Sequence, residues 1–261
     1  MKRLVLGFCL TVAGVAQTAF APKLLPGEGL AVSAPEGTAQ VYGEAKRESP
    51  MGSLAKLVWL RVAGEEWAAM GVSYKCTGQA GPYHCWLAKG HGKVDLSKAT
   101  QESCNLAYLS WAQEAAQRWK RQLGEGAGRV LLEDAFRSFL GNRLPAGDLL
   151  PEITPPWVGD GDLLRTSPEA MLQWLQDPVQ ESMLSQVRRL LLGSFMNEFK
   201  GGGGWWMKTG TAPVPGDPAA TSAWVVGSDG GTIAVLHLPQ GRGKAEGLAR
   251  FRAVMGLPDK P

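Results

Sequence analysis

One stretch of this 261-residue chain decides how the rest is interpreted: residues 52–63 read GSLAKLVWLRVA. The run is apolar on nearly every side, and a helix of that kind is usually buried. Burial removes the water that stabilises a charged amine, so we expect the pKa of Lys56 to be lowered. Ser53 precedes Lys56 by three residues, which puts its hydroxyl on the same helix face. A serine, a buried amine and the free N–H groups of a helix N-terminus are the parts of an acyl-transfer site.

Two further short motifs follow along the chain. Residues 103–105 read SCN, between a loop and a predicted helix, and residues 208–211 read KTGT, on a strand predicted after the glycine tract 201–204. Each motif alone has an ordinary structural explanation. Ser53 and the SCN residues could each be a helix cap. KTGT could be an edge strand with a bulge glycine. The agreement of all three in order, spacing and context favours the functional interpretation.

The spacing of apolar residues predicts the fold class. Helical spacing is found at 106–123, 130–140, 168–175, 179–199 and 245–255, and strand-like composition at 31–43, 205–211, 221–226 and 232–238. Residues 228–231, SDGG, are typical of a tight hairpin turn. These elements predict an α/β (α+β) fold, with an antiparallel sheet flanked by helices and an inserted all-helical lobe. We expect one domain at 22–261, with a sheet lobe at about 22–75 and 201–261 and a helical lobe at about 86–200.

The N-terminal residues 1–21 have the pattern of a secretory signal peptide. Lys2 and Arg3 precede an apolar run, 4–16, that is too short to span a bilayer. Small residues allow cleavage after Ala16 or after Ala21, and an uncleaved anchor is the weaker alternative. We therefore expect an exported protein that works outside the cytoplasm, without a stable membrane span, because no other stretch reaches the roughly 18–20 apolar residues of a membrane helix.

The charge balance excludes one class of partner. Lysine and arginine number 27 against 24 acidic residues, a formal charge of +3. Without Lys2 and Arg3 of the leader the balance is 25 against 24, or +1. A nucleic-acid-binding protein normally carries a strongly basic face, so no nucleic acid is expected as a partner.

Three cysteines remain once Cys9 of the leader is set aside, which is an odd number for an exported protein. Cys76 and Cys85 flank the turn-rich insert 77–82, so they are the candidate disulfide. Cys104 lies in an apolar segment and is expected to be a buried core thiol.

A zinc site is the alternative reading of the same region. It would use Cys76, Cys85, His84 and His91. The paired C-x-x-C spacing of structural zinc sites is absent, so the sequence does not predict a metal.

The three motifs, Ser53-x-x-Lys56, Ser103-x-Asn105 and Lys208-Thr209-Gly210, resemble the signature of the penicillin-binding proteins and the related serine β-lactamases. Residues 76–96 resemble the run that leads into the second motif of penicillin-binding transpeptidase domains. Residues 159–168, GDGDLLRTSP, resemble their Gly-x-Gly…Thr-Pro segment. The resemblance covers roughly residues 35–240 and implies the fold predicted above.

The resemblance implies catalytic roles for four residues. Ser53 would be the nucleophile that attacks the penultimate D-Ala carbonyl of a peptidoglycan stem peptide, and Lys56 would be the base that activates it. Ser103 would relay the proton to the leaving amine, and Lys208 would place a positive charge beside Ser103.

It also implies how a substrate is held. Asn105 would bind the substrate amide and contact Lys56, while Thr209 and Thr211, which share one face of their strand, would bind the terminal carboxylate. Trp206 is a candidate for the cleft wall.

The backbone of the same strand would complete the site. Gly210 leaves space for the strand to approach the serine helix. The N–H groups of Ser53 and Thr211 would form an oxyanion hole, in which one donor typically contributes about 3 kcal/mol.

Two other functions share these residues. A class D β-lactamase would hydrolyse the acyl-enzyme quickly with a carboxylated motif lysine, but that class usually carries Ser-x-Val where this chain has Ser103-x-Asn105, and a class A Glu-x-x-Leu-Asn loop is not found. A non-catalytic penicillin-binding-like module or sensor is the second alternative. The favoured interpretation is a D,D-transpeptidase or carboxypeptidase that needs no metal or organic cofactor. Its partners would be peptidoglycan stem peptides, β-lactam antibiotics and other cell-wall proteins.

Overall fold

The structure, a computed structural model, describes residues 20–33, 38–143, 146–195, 205–241 and 243–258. Residues 1–19 of the predicted leader and the glycine tract 201–204 lie outside this range. Among the helices of the described residues, none combines the length and apolar character needed to cross a bilayer.

The described residues form strands and helices in alternating blocks. The strands are β1 (Gly29–Ser33), β2 (Ala39–Gly43), β3 (Ser49–Pro50), β4 (Ser73–Cys76), β5 (Gln79–Ala80), β6 (Tyr83–His84), β7 (Gly92–Asp95), β8 (Arg165–Thr166), β9 (Trp206–Val214), β10 (Asp217–Ser228) and β11 (Ile233–Leu238). The α-helices are α1 (Ala55–Met70), α2 (Leu96–Gln101), α3 (Asn105–Leu123), α4 (Glu125–Leu140), α5 (Pro168–Gln176), α6 (Glu181–Phe195) and α7 (Gly243–Met255).

A five-stranded antiparallel sheet organises the molecule. Its strand order is β2-β1-β11-β10-β9, which places β9 at one edge. The turn that joins β10 to β11 is fixed by Asp229, whose Oδ1 accepts hydrogen bonds from the N–H groups of Gly231 and Thr232. Asp and Gly at these positions are typical of tight hairpins. The sheet, its hairpin turn and the surrounding helices confirm the predicted fold class.

Helix α1 lies at the centre of the helical part and is buried over most of its length. Trp59 is fully buried, and its ring stacks between those of Trp67 and Trp119 with centroids 6.2 Å away on each side. Its Nε1–H donates to the Trp157 carbonyl oxygen at 2.8 Å. This packing attaches α1 to α3 and to the segment 155–158, and so fixes the helix that carries Lys56.

The segment 73–95 differs from the sequence prediction, which placed no strands there. It folds into two small antiparallel ladders, β4 with β7 and β5 with β6. The strands have two to four residues each, too short for a pattern of alternating apolar residues to be read from sequence. These short strands position three side chains, since Cys76, Cys85 and His91 all lie on or beside them.

Replacing Trp59 by alanine should lower the free energy of unfolding by about 3–5 kcal/mol, because a large ring is lost from a packed core. Trp59→Phe should cost less, since it keeps a six-membered ring in the core, although it loses the rest of the indole and the hydrogen bond to the Trp157 carbonyl oxygen. Val130→Ala, at an exposed position on α4, serves as the control and should change stability by less than about 0.5 kcal/mol. Urea unfolding of the three variants measures the free energy of unfolding. If Trp59→Ala lowers it no more than the control does, Trp59 does not have the central packing role described above.

Candidate active site

Ser53 and Lys56 are in direct hydrogen-bond contact. Ser53 lies in a 3₁₀ turn, Gly52–Leu54, that leads straight into α1. Lys56 stands in the first turn of α1, is completely buried, and has its Nζ 3.0 Å from Ser53 Oγ. The helical spacing of the two residues thus brings the hydroxyl and the amine together.

Two carbonyl oxygens surround the other side of the Lys56 amine. Nζ donates to Asn105 Oδ1 at 2.8 Å and to the Val158 carbonyl oxygen at 3.1 Å. Carbonyl oxygens only accept hydrogen bonds, whereas a hydroxyl can donate or accept. A neutral amine offers two N–H groups to the two carbonyls and keeps its lone pair for the Ser53 hydroxyl. A charged amine would donate to all three oxygens, so the contacts of Nζ suit the lysine both before and after it takes a proton.

Burial lowers the pKa of Lys56 from its ordinary 10.5 to about 8, because desolvation disfavours the charged amine. A negative charge on Cys104, Cys85 or Asp160 would act in the opposite direction, because it favours the charged amine. The net effect is that a substantial fraction of this lysine is neutral near physiological pH.

The SCN motif connects the two lysines of the site. Lys208 Nζ donates to Ser103 Oγ at 2.6 Å and to the Thr209 carbonyl oxygen at 2.7 Å, while Asn105 accepts from Lys56. Ser103 has a φ of +53°, and it is the one residue other than glycine with positive φ in the described part of the chain. Backbone of this kind costs about 1–3 kcal/mol and persists only where neighbouring contacts hold it.

Lys208 is also buried, and its pKa is well below the ordinary range. Desolvation is the main cause, and the nearby positive charges of Lys56 and Lys244 add to it. Two amines thus lie at the bottom of one site, and their mutual repulsion disfavours having both charged.

The edge strand β9 closes the other side of the site. Thr209, Thr211 and Pro213 alternate along it and line the cleft. Gly210, between the two threonines, lies against the 3₁₀ turn, because a Cβ at this position would be 2.7 Å from the Met51 carbonyl oxygen. The edge strand can approach the serine this closely only because position 210 has no side chain.

These groups line an open cleft of about 550 Å³. Its walls carry Ser53, Ser103, Asn105, Thr209 and Thr211 of the predicted set, together with side chains that the sequence did not single out: Trp86, Glu102, Asp160, Pro213 and Lys244.

The prediction for Trp206 is wrong. Its side chain is buried at the start of β9, and it is not among the residues that line the cleft. Trp86 is the tryptophan of the cleft wall instead, and it is largely exposed. Trp206 is close to Lys208 in sequence, but the residues of β9 that line the cleft are Thr209, Thr211 and Pro213. Because side chains alternate along a strand, Trp206 lies on the opposite face from these three.

The disulfide predicted between Cys76 and Cys85 is not formed, and both are free, buried thiols. The physical reason is that both sulfurs lie around the His91 ring instead of being bonded to each other. His91 Nδ1 lies 3.6 Å from Cys76 Sγ and 3.4 Å from Cys85 Sγ, and Cys104, expected to be an isolated core thiol, joins the same cluster. His84, the other histidine considered for a metal site, is exposed on β6 and lies outside this cluster.

Comparisons with known proteins agree with this architecture. No family model and no curated protein matches the chain. The structure is similar to Pseudomonas aeruginosa PBP2, with a TM-score of 0.59 and 14% identity, over 87% of this chain and 72% of that one. It is similar to the class D β-lactamase FUS-1 from Fusobacterium nucleatum subsp. polymorphum, with a TM-score of 0.55 and 15% identity, over 88% of this chain and 90% of that one.

A third similar structure is the C-terminal domain of the Bacillus licheniformis BlaR penicillin receptor, with a TM-score of 0.52 and 15% identity over 87% of each chain. The chain therefore has the fold that penicillin-binding proteins, class D β-lactamases and this receptor domain share.

Two contributors to the site had no signal that sequence reasoning could use. The Val158 carbonyl acts through the backbone, which any residue supplies. Lys244 lies near the start of α7, and only the packing of that helix against β9 and β10 brings it to the cleft.

Gly159→Ala should destabilise the protein more than Gly216→Ala. Both glycines have left-handed φ values, +92° and +84°, so the backbone cost is shared. A Cβ at 159 would lie 1.9 Å from the Gly52 carbonyl oxygen, whereas at 216 nothing is within 4 Å. We expect the loss of unfolding free energy to be about 1–3 kcal/mol larger for Gly159→Ala. Equal losses of unfolding free energy would contradict a tight contact between Gly159 and the turn that carries Ser53.

Proposed function

We propose that this chain is a serine acyltransferase of the penicillin-binding kind, which forms an acyl-enzyme on Ser53 with D-Ala-D-Ala stem peptides of peptidoglycan and is blocked by β-lactams. The observation that carries the proposal is the fully buried Lys56 amine 3.0 Å from Ser53 Oγ. A purely structural role would favour an apolar residue at that position, because burying an amine costs free energy even when it has hydrogen-bond partners.

In the acylation step, Lys56 Nζ takes the proton from Ser53 Oγ as the oxygen attacks the penultimate D-Ala carbonyl. The bond from Oγ to the carbonyl carbon forms, and the carbonyl oxygen becomes an anion. The N–H groups of Ser53 and Thr211 would bind that anion. Support comes from the close approach of the two segments, since a Cβ on Gly52 would lie 2.4 Å from the Thr211 carbonyl oxygen.

In the second half of the step, the amide bond breaks and terminal D-alanine leaves as an amine that needs a proton. Ser103 would deliver it, and Lys208 would resupply Ser103 through their 2.6 Å contact. The terminal carboxylate of the substrate would bind the hydroxyls of Thr209 and Thr211, with the positive charge of Lys244 beside them in the same cleft.

A class D-like β-lactamase is the second candidate, and the coverage of FUS-1 over most of both chains favours it. The contacts of Lys56 argue against it. A carboxylated lysine would bring negatively charged oxygens close to the Val158 carbonyl oxygen, which can only accept hydrogen bonds, and the two groups would repel each other. The proposal is therefore slow deacylation, with water or a cross-linking amine as the eventual acceptor.

The proposal includes export. Residues 1–21 carry the pattern of a secretory signal peptide, and peptidoglycan stem peptides are found outside the cytoplasm. Other cell-wall proteins would then be its neighbours and recruiting partners.

Benzylpenicillin should form one stable covalent adduct with the purified mature protein, and Ser53→Ala should abolish it. The reason is that attack on the β-lactam carbonyl opens the ring without releasing a leaving group, so slow deacylation traps the drug on Ser53. Intact-mass spectrometry over time measures the adduct. Ser110→Ala is the control, because Ser110 lies on α3 away from the cleft, where its hydroxyl forms a hydrogen bond with Glu114. Benzylpenicillin should acylate this variant at the wild-type rate.

Two other results would change the proposed function. An adduct that disappears while free drug is consumed would move the assignment to a β-lactamase. If the folded wild-type protein gives no adduct at all, the serine acyltransferase proposal fails and a non-catalytic module is left.

A further inference from the structure

Four metal-ligating side chains meet in one buried cluster beside the cleft. Cys76 ends β4, Cys85 follows β6, His91 precedes β7 and Cys104 caps α3. Their ligand atoms all lie within 4.8 Å of one another. The side chains are between 0% and 8% exposed, so none of the sulfurs is a surface thiol. We name these four residues the Cys₃His cluster.

We propose that the Cys₃His cluster is a structural zinc site that holds the second catalytic motif in place. Three cysteines and one histidine are a standard ligand set for tetrahedral structural zinc. The spacing C-x₈-C-x₅-H-x₁₂-C lacks the paired C-x-x-C of common zinc modules, which is why the sequence alone did not predict it.

Two separations in the cluster, both from the His91 ring, match those of a zinc tetrahedron. With Zn–S of about 2.3 Å and Zn–N of about 2.0–2.1 Å, the edges of such a tetrahedron are about 3.6 Å between S and N and about 3.8 Å between two sulfurs. The observed separations from His91 Nδ1 are 3.6 Å to Cys76 Sγ and 3.4 Å to Cys85 Sγ. One imidazole nitrogen close to two sulfurs is the arrangement expected of ligands around a common centre.

The backbone at Cys104 fits a thiolate ligand. Cys104 is the N-cap of α3, where the first N–H groups have no acceptor within the helix. The positive end of the helix stabilises a negative charge on a sulfur at this position.

The surrounding loops are also built tightly around the cluster. A Cβ on Gly78 would lie 1.9 Å from the Ala88 carbonyl oxygen, and one on Gly90 would lie 2.3 Å from the Cys76 carbonyl oxygen. The Cys85 N–H donates to the Gly78 carbonyl oxygen at 2.8 Å. Such short ladders have little apolar core of their own, so a metal that joins them to α3 supplies stability that packing does not.

Two other uses of these side chains fit less well. A Cys76–Cys85 disulfide would leave Cys104 and His91 without a role for their convergence. A cysteine–histidine nucleophile would need a sulfur that a substrate can reach, and Cys76, Cys85 and Cys104 are only 1%, 6% and 0% exposed.

The site would act on catalysis through position and not through contact with substrate. Cys104 stands between Ser103 and Asn105, which bind Lys208 and Lys56 respectively. A metal bond at Cys104 would anchor the backbone that keeps Ser103 at its positive φ. This second part of the inference rests on the proposed acyltransferase function, whereas metal binding itself does not.

The metal is tested on the purified mature chain prepared in the presence of Zn²⁺. Native mass spectrometry should show about one zinc per chain, and His91→Ala should lose it. His84→Ala removes a neighbouring exposed histidine and should retain the zinc. A Co²⁺-substituted wild-type protein should show intense sulfur-to-cobalt charge-transfer absorption together with tetrahedral d–d bands, so the test does not depend on whether His91→Ala folds.

Three results would overturn the site: wild-type protein without bound zinc, a Co²⁺ spectrum without sulfur ligation, or a Cys76–Cys85 disulfide in the intact mass under non-reducing conditions. The link to catalysis has its own readout. Chelation should slow acylation by benzylpenicillin by about tenfold to a hundredfold, the range seen when a group that orients a site is lost, and Zn²⁺ but not Mg²⁺ should restore it.

The two proposals fail separately. Zinc bound to a protein that benzylpenicillin never acylates would retain the metal site and refute the acyltransferase function. Acylation that is unchanged after complete zinc removal would retain the acyltransferase and refute the positioning role.

Discussion

The contact between a buried amine and a serine hydroxyl is the constraint on which the rest of the structure depends. Lys56 is completely buried, yet it keeps a titratable group in a region that tryptophan rings otherwise fill. The energetic cost is limited by three oxygen partners, from Ser53, Asn105 and Val158. These partners come from three separate parts of the chain, so the fold has to bring all three to one point.

A second constraint is that strand β9 has to lie close to the turn that carries Ser53, and contacts at glycine residues make this possible. Strand β9 must lie near the 3₁₀ turn of Ser53 if its threonines are to face a group bound there. Gly210 lies against Met51, and Gly159 lies against Gly52. The serine turn is therefore held between two segments at positions where a side chain would displace it. This is a packing reason for glycine that is independent of any resemblance to another protein.

Much of the fold could be predicted because long elements have strong periodicity. Helix α3, predicted at 106–123, is found at Asn105–Leu123, and β11, predicted at 232–238, is found at Ile233–Leu238. The convergence of Ser53, Lys56, Ser103 and Lys208 could be anticipated only from the resemblance of their three motifs, taken together, to those of penicillin-binding proteins. The cysteine cluster could be anticipated only in part: Cys76, Cys85 and His91 belong to the alternative zinc site considered from the sequence, but Cys104 stands in place of His84. The difference arises because the cluster depends on ladders of two to four residues whose register no sequence pattern specifies. Trp206 failed for a different reason: it alternates with the positions 209, 211 and 213 that line the cleft, so the strand turns it to the opposite, buried face.

The central claim is that Lys56 acts on Ser53 as a neutral amine, and the pH dependence of benzylpenicillin acylation tests it most directly. Desolvation places the pKa of Lys56 near 8 instead of 10.5. Below that value the amine is protonated and cannot take the serine proton, so the acylation rate should rise with pH through about 8 and then level off. A rate that keeps rising up to the ordinary lysine value of 10.5, or one that does not change with pH, would contradict the account.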